Sequence, residues 1–291
     1  MDNAFTEAEW QSADGLTLYF RDYPGGARAP TRPSVLCLHG LTRNGRDFDA
    51  LARHIAAQDW RVIVPDMRGR GNSDYAEDSA TYSVPTYIAD IEALLAQEGI
   101  SRFVSVGTSM GGLMTMLMAD GDAGRIAGTL LNDIGPVVDE EGLAHIRGYI
   151  GQSRSFPTWM HAARTLEEAH GAAHPNFDTQ DWIAMAKRSM TLCSNGRIAF
   201  DYDMKIAEPF LAADDNAVPP DLWPAFDALA HKPLLLVRGA VSNLLSEATF
   251  AEMQRRAPNA DAVTVADTGH APTLDEPEVR TAIDSLLASI A

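Results

Sequence analysis

Short runs of uninterrupted apolar residues alternate along the chain with segments whose apolar residues recur every three or four positions. The runs are SVLCL (34–38), RVIVP (61–65), RFVSVG (102–107) and GTLLND (128–133). Since they lack the alternation of a strand with one solvated face, we interpret them as buried parallel strands. The segments between them, such as DFDALARHIAAQ and TYIADIEALLAQEG, have helical spacing. This alternation of strands and helices predicts right-handed crossovers and a doubly wound α/β sheet.

The alternation begins after GLTLYFRDY (15–23), which predicts an early hairpin strand, and it stops after GTLLND. Residues 136–224 have helical patterns, many aromatic side chains and several histidines, without a convincing buried strand. At Leu234 strands and helices resume and continue to a last helix from about Glu276. We therefore predict a core domain formed by 1–135 and 225–291. A helical insertion, 136–224, would lie over the carboxyl ends of the strands, where open α/β sheets bind ligands.

The stretch VSVGTSMGG predicts a nucleophile at Ser109, because a β-run ends at Gly107 and Gly111 and Gly112 open a helix. In a G-x-S-x-G elbow the serine occupies a strained strand-to-helix turn, and its flanking glycines allow the strand and the helix to pack closely. The helix N-terminus supplies N–H groups and a positive dipole end that suit a developing oxyanion.

Two backbone amides are candidates for an oxyanion hole. His39 and Gly40 follow the first buried strand in LCLHGLTRN, and the turn there can offer the N–H of Leu41. The N–H of Met110 would be the second donor. His39 itself precedes the turn glycine, which favours a structural hydrogen-bonding role over that of a base.

His270 is the predicted general base. It lies in ADTGHAPTLDEP, in a loop after the last predicted strand, and late in the chain. The order serine, acid, histidine is the order found on a hydrolase sheet.

Together HGLT, DMRGRGNSD, GTSMGG, the interrupted strand series and GHAP resemble the α/β-hydrolase family over essentially the whole chain. The resemblance implies an eight-stranded, mostly parallel sheet with helices on both faces, a helical cap inserted after strand six, and a Ser–His–acid triad. It also implies a structural role for DMRGRGNSD, with Asp66 and Arg68 bracing its turn.

The sequence offers two positions for the acid of this triad. The family most often draws its acid from the turn after strand seven, here RGAVSNLLS, where Asn243 is neutral and cannot stabilise an imidazolium as a carboxylate does. Asp133 follows strand six, a placement that some members of the family use. We favour Asp133 as the orienting acid, with Asn243 as the alternative position of a substituted, weakened triad.

Aromatic side chains of the insertion suggest an apolar ceiling over the site, and His39, Trp159 and Trp182 are the candidate substrate-binding residues. The favoured hypothesis is a serine hydrolase acting on a small carboxylic ester or lactone. A carbon–carbon bond hydrolase of a β-diketone-like substrate and a ligand-binding protein with weakened catalysis are the alternatives. His170 and His174 have the spacing of metal ligands on a helix, but Pro175 and the missing carboxylate partner argue against a metal site. We expect no metal and no cofactor.

Composition limits the possible binding partners and the cellular location. A formal net charge of −17 argues against nucleic acid and anionic membranes. Two widely separated cysteines, a start without a signal-peptide pattern and the lack of an apolar run near the ~20 residues of a membrane span predict a cytoplasmic protein. The sequence leaves both a monomer and a homodimer open.

Overall fold

A twisted sheet forms the centre of the computed structural model, which describes residues 4–212 and 220–290. The strands are β1 (Thr6–Gln11), β2 (Thr17–Tyr23), β3 (Ser34–Leu38), β4 (Val62–Pro65), β5 (Phe103–Thr108), β6 (Ile126–Asn132), β7 (Ser155–Phe156), β8 (Met190–Leu192), β9 (Ile198–Phe200), β10 (Leu234–Gly239) and β11 (Asp261–Val265).

Eight of these strands form one sheet in the order β1-β2-β4-β3-β5-β6-β10-β11. Strand β2 pairs antiparallel with both of its neighbours, whereas the pairs from β4 to β11 are parallel. The strand order brings the carboxyl ends of β5 and β6 next to each other at the middle of the sheet. The predicted eight-stranded, mostly parallel α/β-hydrolase sheet is therefore confirmed.

Helices cover both faces of this sheet, and further helices lie in the segment between β6 and β10. They are α1 (Asp49–Ala56), α2 (Val84–Gln97), α3 (Met110–Asp122), α4 (Glu140–Tyr149), α5 (Trp159–His170), α6 (Thr179–Ser189), α7 (Ala207–Leu211), α8 (Trp223–Asp227), α9 (Glu247–Arg256) and α10 (Pro277–Ile290).

The apolar runs of the sequence are buried because each parallel strand contributes side chains to a core on either face. In β3, for example, Leu36 and Leu38 pack into the core that contains residues of α2 and α3. Val35 and Cys37 pack into the opposite core, with residues of α1 and α10. Alternate residues of one strand thus enter different cores, so neither face can be polar.

Backbone segments approach one another most closely where β5 turns into α3. A Cβ atom on Gly111 would lie 2.0 Å from the carbonyl oxygen of Leu38, and a Cβ on Gly107 would lie 2.5 Å from the nitrogen of Gly112. Only glycine fits these positions, so the glycines of the elbow allow α3 to begin directly beside β3 and β5.

In its described residues, 133–212 and 220–233, the segment between β6 and β10 adds no strand to the large sheet. It contains a small antiparallel sheet in the order β7-β9-β8, a feature that the helical pattern of 136–224 did not predict. Its helices α5 and α6 pack around Trp182, Leu166 and Ile198 in a separate apolar cluster. The division into 1–135 with 225–291 and an insertion of 136–224 stays a prediction. Its second boundary falls inside α8, and residues 213–219 lie outside the described part of the chain.

No helix within residues 4–212 and 220–290 combines the length and the apolar character needed to cross a membrane.

We predict that Gly111→Ala destabilises the protein by about 3 kcal/mol or more, because the new methyl group would have to displace the Leu38 backbone. Gly121→Ala, in the same helix, is the matched control. A Cβ there meets nothing within 4 Å, so alanine should raise stability by up to about 1 kcal/mol. Urea unfolding of both variants measures the difference, and equal stabilities would contradict the close packing at the elbow.

Candidate active site

Ser109 lies on the sharp turn between β5 and α3. Its backbone has φ +53°, a left-handed value that is uncommon for a residue with a side chain. The turn is held because the Ser109 N–H donates to the carbonyl of Asn132 at the end of β6, at 3.0 Å. The hydroxyl of Ser109 borders a cavity above the sheet, as expected for the serine of an elbow.

His270 comes to Ser109 from the loop that follows β11. Its Nε2 atom lies 2.9 Å from the Ser109 Oγ. The preceding residue, Gly269, donates its N–H to the carbonyl of Ala173 at 2.6 Å, and a Cβ on Gly269 would lie 2.6 Å from the Ala173 Cβ. The histidine loop is therefore in direct backbone contact with the segment that follows α5.

Asp133 lies behind the imidazole. Its Oδ2 atom is 2.7 Å from His270 Nδ1 and accepts a hydrogen bond from the Ser242 hydroxyl at 2.6 Å. Its Oδ1 atom accepts from the Gly239 N–H at 2.8 Å. The carboxylate is fully buried, and its residue has φ +53°. These bonds join the ends of β6 and β10 to the histidine loop.

The turn after β10 contributes a hydroxyl to this group in place of a carboxylate. Sequence reasoning considered Asn243 at this turn and missed its neighbour Ser242, whose hydroxyl reaches the Asp133 carboxylate. No hydrogen bond joins the Asn243 side chain to His270 in the described residues. The sequence signal for Ser242 was its position in the turn after β10, where members of the family most often have the acid.

The two predicted oxyanion donors are free of competing bonds. Among residues 4–212 and 220–290, neither the Leu41 N–H nor the Met110 N–H donates a hydrogen bond, and both residues flank Ser109 or the cavity. Arg70, which sequence reasoning did not single out, donates its Nε–H to the Leu41 carbonyl at 2.9 Å. This bond restrains the peptide group that directly follows the one with the Leu41 N–H, and the buried Arg70 is stacked over the ring of Tyr87.

His39 does not border the cavity, so its place among the substrate-binding candidates is corrected. Because a carbonyl oxygen only accepts, the contact of 2.8 Å with Gly40 makes Nδ1 the protonated nitrogen. The Met67 N–H donates to Nε2 at 3.0 Å. Both ring nitrogens are thus occupied, which leaves His39 the structural role that its position beside the turn favours. Burial lowers the pKa of His39 to about 4.

The DMRGRGNSD loop has contacts that fit the structural role expected for it. Asp66 accepts hydrogen bonds from the Gly45 and Asn72 N–H groups at 2.6 and 3.0 Å. The buried guanidinium of Arg68 pairs with Asp90 at 2.7 Å. Neither side chain reaches the cavity.

A cavity of about 190 Å³ opens above Ser109 and His270. From below it is bordered by Gly40, Leu41 and the histidine loop, and from above by residues of α4, α5, α6 and β9. Phe48, Tyr149, Phe200 and Tyr202 contribute aromatic side chains to its walls.

Trp159 and Trp182, the other two substrate-binding candidates, are absent from this wall and are also corrected. Trp182 is buried and packs against Phe177, with ring centroids 5.1 Å apart, inside the apolar cluster of α5 and α6. Trp159 packs against the same cluster. Helical spacing identifies an apolar face, but it does not distinguish a side chain that packs within the insertion from one that faces a cavity.

His170 and His174 both line the cavity. Burial, together with the positive charge of Arg43, lowers the pKa of each to about 4, so both rings are neutral at neutral pH. In the described part of the chain, no three His, Cys, Asp or Glu side chains form a group that could hold a metal ion.

Sequence comparison agrees with this fold. The model of the alpha/beta hydrolase fold family matches residues 33–277, and the chain belongs to this family. The resemblance seen in the sequence is thereby confirmed, and the protein is a member of a hydrolase family.

Individual relatives are similar along nearly the whole chain. An alpha/beta hydrolase from Novosphingobium aromaticivorans, known from its crystal structure, is 56% identical with a TM-score of 0.94, and the match covers 99% of each chain. The 3-hydroxybutyrate-oligomer hydrolase of Cupriavidus necator is 35% identical over 254 residues, 85% of this chain and 86% of that protein. The 2-(acetamidomethylene)succinate hydrolase of Mesorhizobium japonicum is 24% identical over 264 residues, 91% and 88% of the two chains.

Because burial keeps His39 neutral, we expect the free energy of unfolding to depend on pH. Between pH 6.5 and about 4 the unfolded chain protonates this histidine and the folded chain does not, so stability falls as the pH is lowered. From pH 7 to pH 5 the loss from this residue should be about 2 kcal/mol. In His39→Gln, the free energy of unfolding should therefore fall less over this interval. Urea titrations at the two pH values measure it, and identical pH dependence in both proteins would contradict the assignment.

Proposed function

We propose that this protein is a serine hydrolase that cleaves small carboxylic esters or lactones through an acyl-enzyme on Ser109. The observation that carries the proposal is the continuous line of hydrogen-bonding atoms from Ser109 Oγ to His270 Nε2, at 2.9 Å, and from His270 Nδ1 to Asp133 Oδ2, at 2.7 Å. A hydroxyl, an imidazole and a buried carboxylate in this order are the groups that acyl transfer requires.

In the first half-reaction, Ser109 Oγ attacks the ester carbonyl carbon while His270 Nε2 accepts the hydroxyl proton. Asp133 holds the proton of Nδ1 and stabilises the imidazolium that forms. The tetrahedral intermediate then collapses, the C–O bond to the alcohol breaks, and His270 returns its proton to the departing alkoxide. In the second half-reaction, His270 Nε2 accepts a proton from water as its oxygen attacks the acyl carbon. The bond to Ser109 Oγ then breaks, His270 returns the proton to Oγ, and the free acid leaves.

The oxyanion of each tetrahedral intermediate would be bound by the N–H groups of Leu41 and Met110. Both donors are backbone atoms, so they are fixed before the substrate arrives and need no reorganisation. Arg70 supports this role because its bond to the Leu41 carbonyl restrains the peptide chain beside one donor.

The size of the cavity favours compact substrates. Ligand sites for drug-sized molecules occupy roughly 300–1,000 Å³, whereas this cavity has about 190 Å³. Short acyl and alkoxy groups are therefore the proposed substrates. The relative from Cupriavidus necator is a hydrolase of 3-hydroxybutyrate oligomers, which supports an ester of a short acid as the substrate.

Carbon–carbon bond cleavage of a β-diketone remains the second candidate, because the same serine and histidine could attack a ketone. The third hypothesis, a binding protein with weakened catalysis, depended on Asn243 as the partner of His270. Asp133 at 2.7 Å from the imidazole removes that reason.

Ser109 is tested by covalent labelling and by turnover. We expect a fluorophosphonate to modify the wild type once, at Ser109, and 4-nitrophenyl butanoate to be hydrolysed. Ser109→Ala should lose labelling and at least about 10³-fold in kcat/KM, since the nucleophile is removed. Ser101→Ala, at an exposed serine just before β5, is the control and should retain both. Cleavage of pentane-2,4-dione in preference to the ester would favour the second candidate, and labelling elsewhere would contradict the proposal.

Asp133 is tested separately, by comparing two substitutions. Asp133→Asn should lower kcat on the order of 10⁴-fold, as expected where an amide replaces the carboxylate and selects the wrong imidazole tautomer. Asn243→Ala should change kcat by less than about threefold, because the Asn243 side chain forms no hydrogen bond in the described structure. The opposite order of effects would transfer the orienting role to the turn after β10.

A further inference from the structure

The cavity wall has a positive charge balance, although the chain as a whole is strongly acidic. Among the described residues that border it are three arginines, Arg43, Arg154 and Arg188, and a single carboxylate, that of Asp47. The flanking His170 and His174 are neutral at neutral pH. The formal net charge of the chain is −17, so this excess of positive charge is a local feature of the site.

Arg43 lies beside the catalytic group. A Cβ atom on Gly40 would lie 3.5 Å from Arg43 Cγ and 3.7 Å from Ser109 Cβ, so the arginine stem and the serine border the same small space. The guanidinium uses Nε and Nη2 to bind the two oxygens of Asp47, at 2.7 and 2.5 Å. Within residues 4–212 and 220–290, its Nη1 has no hydrogen-bond acceptor.

Arg188 shares the same carboxylate but is less completely paired. Its Nε lies 3.7 Å from Asp47 Oδ1, beyond the distance of a direct hydrogen bond. Its main chain is fixed at the end of α6, because Arg46 donates Nε–H to the Arg188 carbonyl at 3.1 Å and Nη2–H to Asp201 at 2.6 Å. In the described structure no acceptor takes a hydrogen bond from the Arg188 guanidinium.

One carboxylate cannot neutralise these cations. The single negative charge of Asp47 is shared between Arg43, which binds both of its oxygens, and Arg188, whose Nε lies 3.7 Å from Oδ1. A partly buried guanidinium without an acceptor is costly unless a ligand supplies one. The planar guanidinium has several N–H groups in a fixed fork, which matches the two oxygens of a second carboxylate.

We propose that Arg43 and Arg188 form a carboxylate-binding subsite, so that the preferred substrates are short esters that also carry a free carboxylate. This inference rests on the proposed function of Ser109 and names the substrate class of that site. The ester carbonyl would lie at Ser109, and the free carboxylate, a few bonds away on the acyl or the alcohol side, would accept from Arg188 and from the unoccupied Nη1 of Arg43. Arg154, at the exposed edge of the cavity, would attract the anion during entry.

Turnover of matched ester pairs tests the subsite. One pair places the charge on the acyl side, ethyl hydrogen glutarate against diethyl glutarate. The other places it on the alcohol side, 3-(butanoyloxy)butanoate against its methyl ester, with butanoate release as the readout. In at least one pair we expect kcat/KM to be about tenfold or more higher for the anion, the effect of one charge-assisted hydrogen bond. The preference should weaken as salt is raised.

The variants identify the residues responsible. Arg188→Gln should reduce the ratio of anionic to neutral kcat/KM about tenfold, and Arg43→Gln should reduce it similarly. Arg255→Gln, at an exposed arginine of α9 that pairs with Glu252, is the matched control and should leave the ratio unchanged. If the wild type hydrolyses both members of each pair equally well, or Arg188→Gln leaves the ratio unaltered, the subsite is refuted while the ester hydrolase stands.

Binding to Ser109→Ala provides a readout that does not depend on turnover. Isothermal titration should detect tighter binding of ethyl hydrogen glutarate or 3-(butanoyloxy)butanoate than of the matched neutral ester, and Arg188→Gln in the same background should abolish the difference. Preferential anion binding without hydrolysis by the wild type would retain the subsite and reject the proposed reaction. Equal binding of anionic and neutral ligands in both pairs would overturn the subsite whatever the reaction.

Discussion

The candidate active site depends on the Asp133 carboxylate, which is buried away from water and hydrogen-bonded through both of its oxygens. A buried carboxylate is costly unless hydrogen bonds compensate for its lost hydration. Asp133 receives them from the Gly239 N–H, the Ser242 hydroxyl and the His270 ring. Those donors belong to the end of β10, the turn after it and the loop after β11. The hydrogen bonds of this one carboxylate therefore hold together the segments that bring His270 to Ser109.

Much of the sheet could be predicted from sequence because its central strands are buried on both faces and read as unbroken apolar runs. SVLCL coincides with β3, and the other central runs differ from their strands by one or two residues. Strand β1 was missed because it lies at the edge of the sheet, where TEAEWQ is largely exposed and polar. The strands β7 to β9 were missed because two or three residues are too few to establish a period.

Site residues that are close together in the sequence could be predicted, whereas those brought together only by the fold could not. Ser109 and Gly111 are only two positions apart in the sequence, so strand, turn and helix signals identified them together. Asp133 could be favoured because it ends a predicted strand. The role of Ser242, by contrast, depends on the register between β6 and β10. The arginine cluster could not be predicted either, since Arg43 and Arg188 are brought together only by the packing of α6 over the loop after β3.

The contact between Gly269 and Ala173 bears on the construction of chimeric enzymes. The loop that carries His270 rests on the main chain after α5, with no room between the two for a side chain. Exchanging all of the residues between β6 and β10 for those of another member of the family would thus replace Asp133 and the Ala173 support of the histidine loop along with the roof of the cavity. Grafts that retain Asp133 and residues 171–174 would vary the roof while keeping both the carboxylate and the main-chain support that hold His270 beside Ser109.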